Sequence, residues 1–293
     1  MGYDGRMDQP RISLSMIVRD EQFFLANCLE SVKGAVDEIV VVDTGSTDHS
    51  VEIARAYGAK IGHFEWNDRF DDARNAALSL CSGDWIISLD ADERLVAHHW
   101  AKVREISKTA PMDCQGIFFT CLSGTPGPVD ESPVLRMFRR QPWLRWEGRV
   151  HEEVGMTIQR NRGNLGQSQV CIVHDGYQAE LVKSKNKWER NERLLLLENE
   201  ERPGSGFTLY NLGHLYLVLA VQGRSEPDPE ILAKAAGYFL DSLARSGPDN
   251  LYWTRLVGEA AICGIKQQGK TPAWPICPVS VLGQHPDPLA RAS

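Results

Sequence analysis

The acidic segment Asp90-Ala91-Asp92 is the part of this sequence whose residue types and spacing best suit chemistry. It follows the apolar run from Trp85 to Leu89, so it stands where a predicted β-strand ends. If the extended geometry continues, the two aspartates project to the same side and can share one hard divalent cation. Such a cation can offset charge that develops on a leaving phosphate oxygen. The competing interpretation is that Asp90, Asp92 and Glu93 open the next helix, since a helix N-terminus favours acids.

A second acid, Asp43, ends the β-branched run Ile39-Val40-Val41-Val42, which is typical of a parallel strand buried on both faces. The residues from Thr44 to Asp48 then turn the chain into a predicted helix that ends near Gly58. Ligands of open α/β sheets bind outside the carboxyl ends of the strands. We therefore expect Asp43 and the Asp90-Ala91-Asp92 segment to face one crevice.

The elements around these acids predict an α/β fold. An apolar strand from Ile12 to Val18 is followed by a helical pattern from Glu21 to Val32, and the residues from Phe70 to Leu80 are also helical in pattern. Successive strand–helix units predict a doubly wound, mostly parallel central sheet flanked by helices. Further strand-like segments lie at residues 117–119, 134–138, 150–158 and 170–173.

The remainder of the chain is helical in pattern, which predicts a C-terminal α-helical tail. Leu209, Leu212 and Tyr216 resemble part of a tetratricopeptide unit, but the period is interrupted further along. Because one degraded repeat cannot stack into a solenoid, a packed helical pair is favoured over a peptide-binding array. The predicted domains are a flexible N-terminus (1–11), an α/β domain (12–180), a helical, tetratricopeptide-like region (181–270) and an extended tail (271–293).

The composition excludes several classes of protein. With 42% hydrophobic and 24% charged residues, the 293-residue chain has the balance of a globular protein. Its formal net charge of -7 argues against a nucleic-acid partner. No apolar run reaches the roughly 18 residues of a transmembrane segment, and the first residues lack the apolar core of a signal peptide, so the expected location is cytoplasmic. The scattered cysteines include no C-x-x-C pair, so we expect reduced thiols rather than a disulfide framework or a zinc site.

Three segments, in their order and spacing, resemble the nucleotide-binding half of the inverting glycosyltransferase family 2. They are residues 40–48, Asp71-Asp72-Ala73-Arg74-Asn75 and residues 85–93. The branch of that family with a helical, tetratricopeptide-like tail is the most similar, because Trp146 to Glu152 and His174 to Tyr177 also match it. The resemblance implies a Rossmann-like GT-A fold, Mn²⁺ or Mg²⁺ as cofactor, and a nucleotide-sugar donor, with a UDP-sugar as the first expectation. It also implies transfer to a hydroxyl or thiol of a glycan, a lipid-linked molecule or a peptide.

The resemblance assigns roles to single residues of the nucleotide site. Asp43 would hydrogen-bond the base, Arg74 would approach the base or the diphosphate, and Asp90 would lie near the ribose and the metal. The nucleotide-binding candidates are therefore Asp43, Arg74, Asp90 and Ile17. Many relatives have two acids where this chain has Asp43-Thr44, so only the first acid's role carries over. As residues alone, Asp43 can be a turn-forming residue and Arg74 a solvated helix arginine.

Metal and base candidates follow from the same resemblance. The metal candidates are Asp92, Asp90 and His174. Inverting transfer needs a general base for the acceptor proton, and Glu152 is the candidate, with Glu153 and Glu147 as alternatives. His151 could instead ligate the metal or orient the acceptor. In a strand, His151 and Glu152 would face opposite sides, so both can serve one site only if the strand ends there.

One group of basic residues stands out in this acidic chain: Arg136, Arg139, Arg140, Arg145 and Arg149. Such a cluster could bind a diphosphate or attract an anionic acceptor. Alternating arginines on an exposed strand are the favoured explanation.

Two other functions share some of these features. A nucleotidylyltransferase would have a similar sheet and acidic site, but it normally carries a Gly-rich phosphate loop after the first strand, where this chain has Arg19-Asp20-Glu21-Gln22. A degenerate transferase could act as a non-catalytic scaffold, although the intact Asp43, Asp90 and Asp92 count against it. The helical tail is also a candidate surface for forming a homo-oligomer.

Overall fold

The computed structural model of the chain describes residues 9–123, 130–175, 177–222, 224, 227–247 and 253–263. Residues 1–8 of the predicted flexible N-terminus and all of the predicted tail, residues 271–293, lie outside the described residues. The chain divides into two compact units. The first comprises the residues up to Glu147 together with Glu152–Leu181, and the second comprises Gly148–His151 together with the residues from Val182 onward.

An eight-stranded sheet lies in the described part of the first unit. Its strands are β1 (Ile12–Val18), β2 (Glu38–Asp43), β3 (Lys60–His63), β4 (Trp85–Ser88), β5 (Glu93–Leu95), β6 (Cys114–Ser123), β7 (Asp130–Arg139) and β8 (Asn164–His174). Their spatial order is β3-β2-β1-β4-β7-β6-β8-β5. The strands β3, β2, β1 and β4 run parallel, whereas β7 is antiparallel to its neighbours β4 and β6. The predicted α/β class is confirmed.

Helices alternate with the first strands and then follow the sheet. They are α1 (Leu25–Ser31), α2 (Ser50–Ala56), α3 (Phe70–Leu80), α4 (His99–Thr109), α5 (Gly155–Arg160), α6 (Tyr177–Glu201), α7 (Gly206–Val221), α8 (Pro229–Arg245) and α9 (Trp253–Ile262). The last four form the C-terminal helical part that the sequence predicts. In the described part of the chain, no helix is both long enough and apolar enough to cross a membrane.

The central strands are buried along most of their length because both faces of the sheet are covered, and β1 buries Ser13 and Ser15 as well as its apolar residues. In β4, Trp85 and Ile87 belong to one buried cluster, whereas Ile86 between them belongs to another, as the alternation of a strand requires. Helix α3 packs against β1 and β2. The parallel strands β1, β2 and β4 therefore present their carboxyl ends at one edge of the sheet, where the acidic segments follow.

The predicted strand over residues 150–158 is wrong. The segment contains an isolated bridge between Glu147 and Glu153, after which α5 begins. Gly148 and His151 have φ angles of 116° and 57°, which an extended strand does not allow. The apolar positions Val150, Val154 and Ile158 are spaced by four residues, and that spacing favours a helix rather than a strand.

The second unit contains a helical core of its own. Ser205 is the N-cap of helix α7, with its side chain accepting a hydrogen bond from the Thr208 N–H, and α7 packs against α8. The short segment Gly148–His151 belongs to this unit: the Arg149 N–H donates to Glu198 at 2.8 Å and the Arg149 guanidinium pairs with Glu201.

Gly213 of α7 provides a test of the packing between α7 and α8. A Cβ atom at this position would lie 2.6 Å from the ring of Phe239, which is fully buried. We expect Gly213→Ala to lower the free energy of unfolding by about 1–3 kcal/mol, because the ring cannot move away freely. Denaturant unfolding followed by circular dichroism measures this change.

Gly237→Ala in α8 is the matched control. It replaces a glycine within the neighbouring helix, but a Cβ atom there meets nothing within 4 Å. We expect it to raise the unfolding free energy by about 0.5–1 kcal/mol through helix propensity alone. Equal effects of the two substitutions would contradict the close α7–α8 contact.

Candidate active site

The acidic segment leaves β4 through a turn and does not open a helix. Strand β4 ends at Ser88, Glu93 begins β5, and the next helix, α4, starts only at His99. The interpretation of Asp90, Asp92 and Glu93 as a helix start is therefore wrong. The strand geometry also ends before Asp90, so the two aspartates do not project side by side but meet different partners.

Asp90 is held by two guanidinium groups. Its Oδ1 accepts from Arg74 Nη2 at 2.7 Å, and its Oδ2 accepts from Arg136 Nη2 at 3.2 Å. Partial burial alone would raise the pKa of Asp90, but Arg74 and Arg136 outweigh it and hold that pKa well below the usual range. Asp90 is thus a fixed anion at the carboxyl edge of the sheet.

Arg74 is buried in the cluster, so the alternative of a solvated helix arginine is wrong. The residue is 7% exposed and lies on α3. Its Nη1 donates to Ser88 Oγ at 3.2 Å, and its Nε donates to Glu152 Oε1. Its Cζ atom lies 5.0 Å from the centre of the Trp146 ring, within the range of a cation–π contact. Arg74 therefore links Asp90 to Glu152 while a tryptophan covers its face.

Asp92 meets His174 instead of Asp90. The Oδ2 of Asp92 lies 3.2 Å from His174 Nε2. This approach follows from the sheet, because β8 ends at His174 and pairs antiparallel with β5 so that His174 stands opposite Glu93. The Asp175 N–H also donates to the Asp92 carbonyl at 2.8 Å. The hydrogen bond to Asp92 raises the pKa of His174.

The Asp92–His174 pair fits a divalent metal ion. A carboxylate oxygen and an imidazole nitrogen 3.2 Å apart can both reach one ion at the roughly 2.0–2.2 Å of metal–ligand bonds. No group of three or more acidic, histidine or cysteine residues arranged for a metal occurs in the described ranges. Mg²⁺ is usually bound by one or two carboxylates together with water and substrate phosphates, and Asp92 would supply such a carboxylate while His174 would add a nitrogen ligand.

Asp43 shapes the turn after β2. Its Oδ1 accepts from the Ser46 N–H at 3.0 Å and its Oδ2 accepts from the Gly45 N–H at 3.3 Å. Strands β1 and β2 pair so that half-buried Ile17 stands opposite Val42, the residue before Asp43. Asp43 thus has the turn-forming role that its residue type suggests, in addition to its position at the carboxyl edge.

The loops after β1 and β2 are fastened to each other. The Asp20 carboxylate accepts from the backbone N–H of Thr47 at 2.7 Å and from its hydroxyl at 3.1 Å. In the same region the Asp48 carboxylate accepts from the Gln22 N–H at 3.0 Å. These contacts preorganise the backbone around Asp43 before any ligand binds.

The three base candidates, Glu152, Glu153 and Glu147, and the neighbouring His151 have different surroundings. Glu152 pairs with Arg74, whereas Glu147 pairs with Arg160. Burial raises the pKa of Glu153 to about 7, although Arg136 opposes this shift. His151 belongs to the second unit, has a left-handed backbone and is exposed to solvent. The first unit therefore brings Glu152 together with Arg74 and Asp90.

Two residues of this cluster have contacts in the site that the sequence did not predict. Asn75 holds the backbone of Trp146 from both sides, since its Nδ2 donates to the carbonyl at 2.9 Å and its Oδ1 accepts from the N–H at 3.0 Å. Arg136 contacts Asp90 and Glu93 and is only 15% exposed, so its assignment to an exposed strand is wrong. For Asn75, its position directly after Arg74 was a signal that it lies near the site. For Arg136, no local pattern in β7 distinguished it from the other arginines.

The other arginines of that group have structural roles, and only Arg139 among them lies on β7, so the favoured explanation of alternating arginines on an exposed strand is wrong. Arg139 lies over the Trp85 ring, 4.3 Å from its centre, and donates to the Cys114 carbonyl. Arg140 and Arg145 donate to backbone carbonyl groups as well.

The sequence matches the family model described as Glycosyl transferase family 2 over residues 13–163, just over half of the chain. It is 36% identical over 213 residues to a TPR repeat-containing protein of Synechococcus elongatus, covering 70% of this chain and 52% of that protein. It is 28% identical over 211 residues to the SPbeta prophage-derived glycosyltransferase SunS of Bacillus subtilis, covering 68% of this chain and 48% of that protein. The chain spans about half the length of the curated relatives it matches.

Two solved structures resemble this fold. One is residues 1–349 of S. aureus TarS in complex with UDP-GlcNAc, with a TM-score of 0.50, 13% identity, and coverage of 79% of this chain and 81% of that chain. The other is the mannosyltransferase PcManGT from Pyrobaculum calidifontis in complex with GDP-Man and Mn²⁺, with a TM-score of 0.50, 16% identity, and coverage of 89% and 82%. These similarities show the GT-A fold that the sequence resemblance implied.

Proposed function

The chain belongs to glycosyl transferase family 2, and from that premise we propose that it is a metal-dependent, inverting glycosyltransferase. Its donor is a nucleoside-diphosphate sugar, with a UDP-sugar preferred, and its acceptor is a hydroxyl or thiol of a glycan, a lipid-linked molecule or a peptide. The observation that carries the proposal is that Asp43 and the turn with Asp90 and Asp92 follow the carboxyl ends of parallel strands of one sheet, where Arg74 pairs with Asp90.

The donor occupies this edge in the proposal. Asp43 and Ile17 contact the nucleoside, and the cationic Arg74 faces the diphosphate. Asp92 and His174 would hold Mn²⁺ or Mg²⁺, which would supply positive charge beside the leaving diphosphate. Asp90, whose two oxygens are already taken by guanidinium groups, stands beside the ribose and the metal rather than serving as a direct ligand.

Glu152 is the proposed general base. The acceptor loses its proton to the Glu152 carboxylate as its oxygen or sulfur forms a bond to the anomeric carbon of the sugar. The bond from that carbon to the diphosphate oxygen breaks, and the nucleoside diphosphate leaves with the electron pair. Attack from the face opposite the leaving group inverts the anomeric centre. The Arg74 contact supports this role because it fixes the orientation of the Glu152 side chain.

A ligand-induced change in melting temperature tests the donor class. With Mn²⁺ present, UDP and UDP-sugars should raise the melting temperature by several degrees, because ligand at a hundred times its Kd stabilises the folded state by about 2.7 kcal/mol. UMP, which lacks the second phosphate, is the control and should give a much smaller shift. In the presence of EDTA the UDP shift should disappear.

Two results would contradict the proposal. If UDP raised the melting temperature equally in Mn²⁺ and in EDTA, donor binding would not depend on a metal. Pyrophosphate release from a nucleoside triphosphate and a sugar phosphate would identify a nucleotidylyltransferase instead, since a glycosyltransferase does not catalyse that reaction.

A further inference from the structure

Arg136 lies at the centre of a small ring of charged groups that also contains Asp90 and Glu93, and the proposed chemistry assigns no role to Arg136 or Glu93. Its strand, β7, pairs with β4 so that Met137 stands opposite Ile87, which brings Arg136 next to the turn after β4. A single nitrogen, Nη2, contacts Asp90 Oδ2 at 3.2 Å and Glu93 Oε1 at 2.5 Å. The second oxygen of Glu93 accepts from the Asp90 N–H at 3.1 Å, which closes the ring.

The arrangement is a poor one for stability alone. The Nε of Arg136 is buried and has no hydrogen-bond partner in the described part of the chain. An unsatisfied donor on a buried cation costs free energy, and apolar side chains of similar volume often stabilise such a position better. A buried donor without a partner among the described residues, such as Arg136 Nε, indicates that the residue is retained for a reason other than stability.

The ring encloses the turn that carries Asp92. Asp90 is fixed from one side by Arg74 on α3 and from the other by Arg136 on β7, while Glu93 begins β5. Both ends of the turn are therefore tied to the sheet, and the residue between them faces His174. A turn held at both ends loses little conformational entropy when a ligand binds to it.

We propose that Arg136 is a positioning residue: it closes the ring with Asp90 and Glu93, fixes the 90–93 turn and so holds Asp92 opposite His174. The consequence for metal and donor binding rests on the proposed function. The geometry of the turn does not, and it can be measured on the protein without ligand.

The simpler alternative is that Arg136 only neutralises the buried carboxylate of Glu93, which is 2% exposed. Arg136→Met alone does not separate the two roles, because it leaves that buried carboxylate without its cation and so destabilises the fold. The double variant Arg136→Met/Glu93→Gln removes both charges, and its glutamine can still accept from the Asp90 N–H. Arg139→Met on the same strand is the control, because Arg139 contacts Trp85 and backbone carbonyls rather than this turn.

The experiment measures hydrogen–deuterium exchange of the backbone in the peptide that covers residues 88–95, together with melting temperature, for wild type and both variants. If Arg136 positions the turn, the double variant exchanges about tenfold faster in this peptide while its melting temperature stays near that of wild type. The Arg139→Met variant should leave exchange in this peptide unchanged. Wild-type exchange in the double variant would overturn the proposal and leave Arg136 a counter-ion of Glu93.

A second measurement separates this inference from the proposed function. The affinity of Mn²⁺ together with UDP should fall at least about tenfold in the double variant, and it should be unchanged in Arg139→Met. If wild type binds no UDP with Mn²⁺, yet the turn exchanges faster in the double variant, the proposed donor fails and the positioning role stands. If wild type binds UDP and exchange does not change, the positioning role fails and the donor stands.

Discussion

The Asp92→Asn variant should lose metal-dependent donor binding and should transfer sugar about a hundred to a thousand times more slowly than wild type. Asp92 supplies one of the two protein groups that face each other at 3.2 Å, and the amide that replaces it brings no negative charge to a cation. Removing one preorganised electrostatic contact to the developing charge costs about this much in other enzymes. Calorimetric titration of UDP in Mn²⁺ measures the binding loss, and release of UDP in the presence of acceptor measures the rate.

Asp84→Asn is the matched control for this experiment. It removes the same charge at the opposite end of β4, where Asp84 accepts from the Arg11 N–H at 2.8 Å and is exposed. We expect it to leave UDP affinity and rate within about twofold of wild type, because surface substitutions away from a site have small effects. His174→Ala should resemble Asp92→Asn, and the double variant should cost little more than either single change, because the two residues act as one unit. Undiminished Mn²⁺-dependent binding of UDP by Asp92→Asn would remove this pair from the metal site.

Glu152→Gln should separate donor binding from chemistry. Glutamine keeps the size of the side chain but cannot take a proton, and a positioned general base contributes about a hundred to ten thousandfold to rate. Arg74 keeps its contacts with Asp90 and Ser88 in this variant, so UDP affinity in Mn²⁺ should change by less than about threefold. Steady-state kinetics beside calorimetry gives both quantities. Exposed Glu105 on α4 offers the control, since Glu105→Gln changes charge equally without altering the Arg74 cluster.

Retained turnover in Glu152→Gln would indicate that the neighbouring Glu153 is the base. The dependence of the rate on pH tests this assignment. Burial raises the pKa of Glu153 to about 7. A base works only when deprotonated, so a rate governed by Glu153 would rise as pH increases through about 7 and level off above it. The role would belong to Glu153 if Glu153→Gln abolished the turnover and, with it, the increase of the rate with pH.

The parallel half of the sheet could be predicted because its strands carry a simple signal. The runs that became β1, β2 and β4 are rich in apolar residues and are buried along most of their length, as is typical of strands covered on both faces. The periodicity of its apolar residues predicted helix α3. The positions of Asp43 and Asp90 at the ends of strands predicted that both belong to the site. The prediction that they share an edge needs only the rule that parallel strands end together.

The pairings within the site could not be predicted, because they depend on tertiary contacts that no local pattern encodes. The Arg74–Glu152 pair joins α3 to a turn that the sequence interpretation treated as a strand. The Arg136–Glu93 pair needs β7 to lie beside β4, whereas β5 and β6, which lie between them in the sequence, stand elsewhere in the sheet. An arginine beneath a sheet edge and one on an exposed strand look alike in sequence.

The position of His174 at the end of β8 bears on how the protein is made. The neighbouring contact between Arg94 and Asp175 spans 81 residues of chain, and the Asp92–His174 pair spans a similar length. At roughly 5–20 residues per second, a ribosome needs several seconds to synthesise that stretch. During this time the four parallel strands have already been synthesised, but Asp92 has no His174 to pair with. A nascent chain therefore acquires the complete pair only after β8 has left the ribosome and joined the sheet, so the proposed metal site cannot form before that strand is in place.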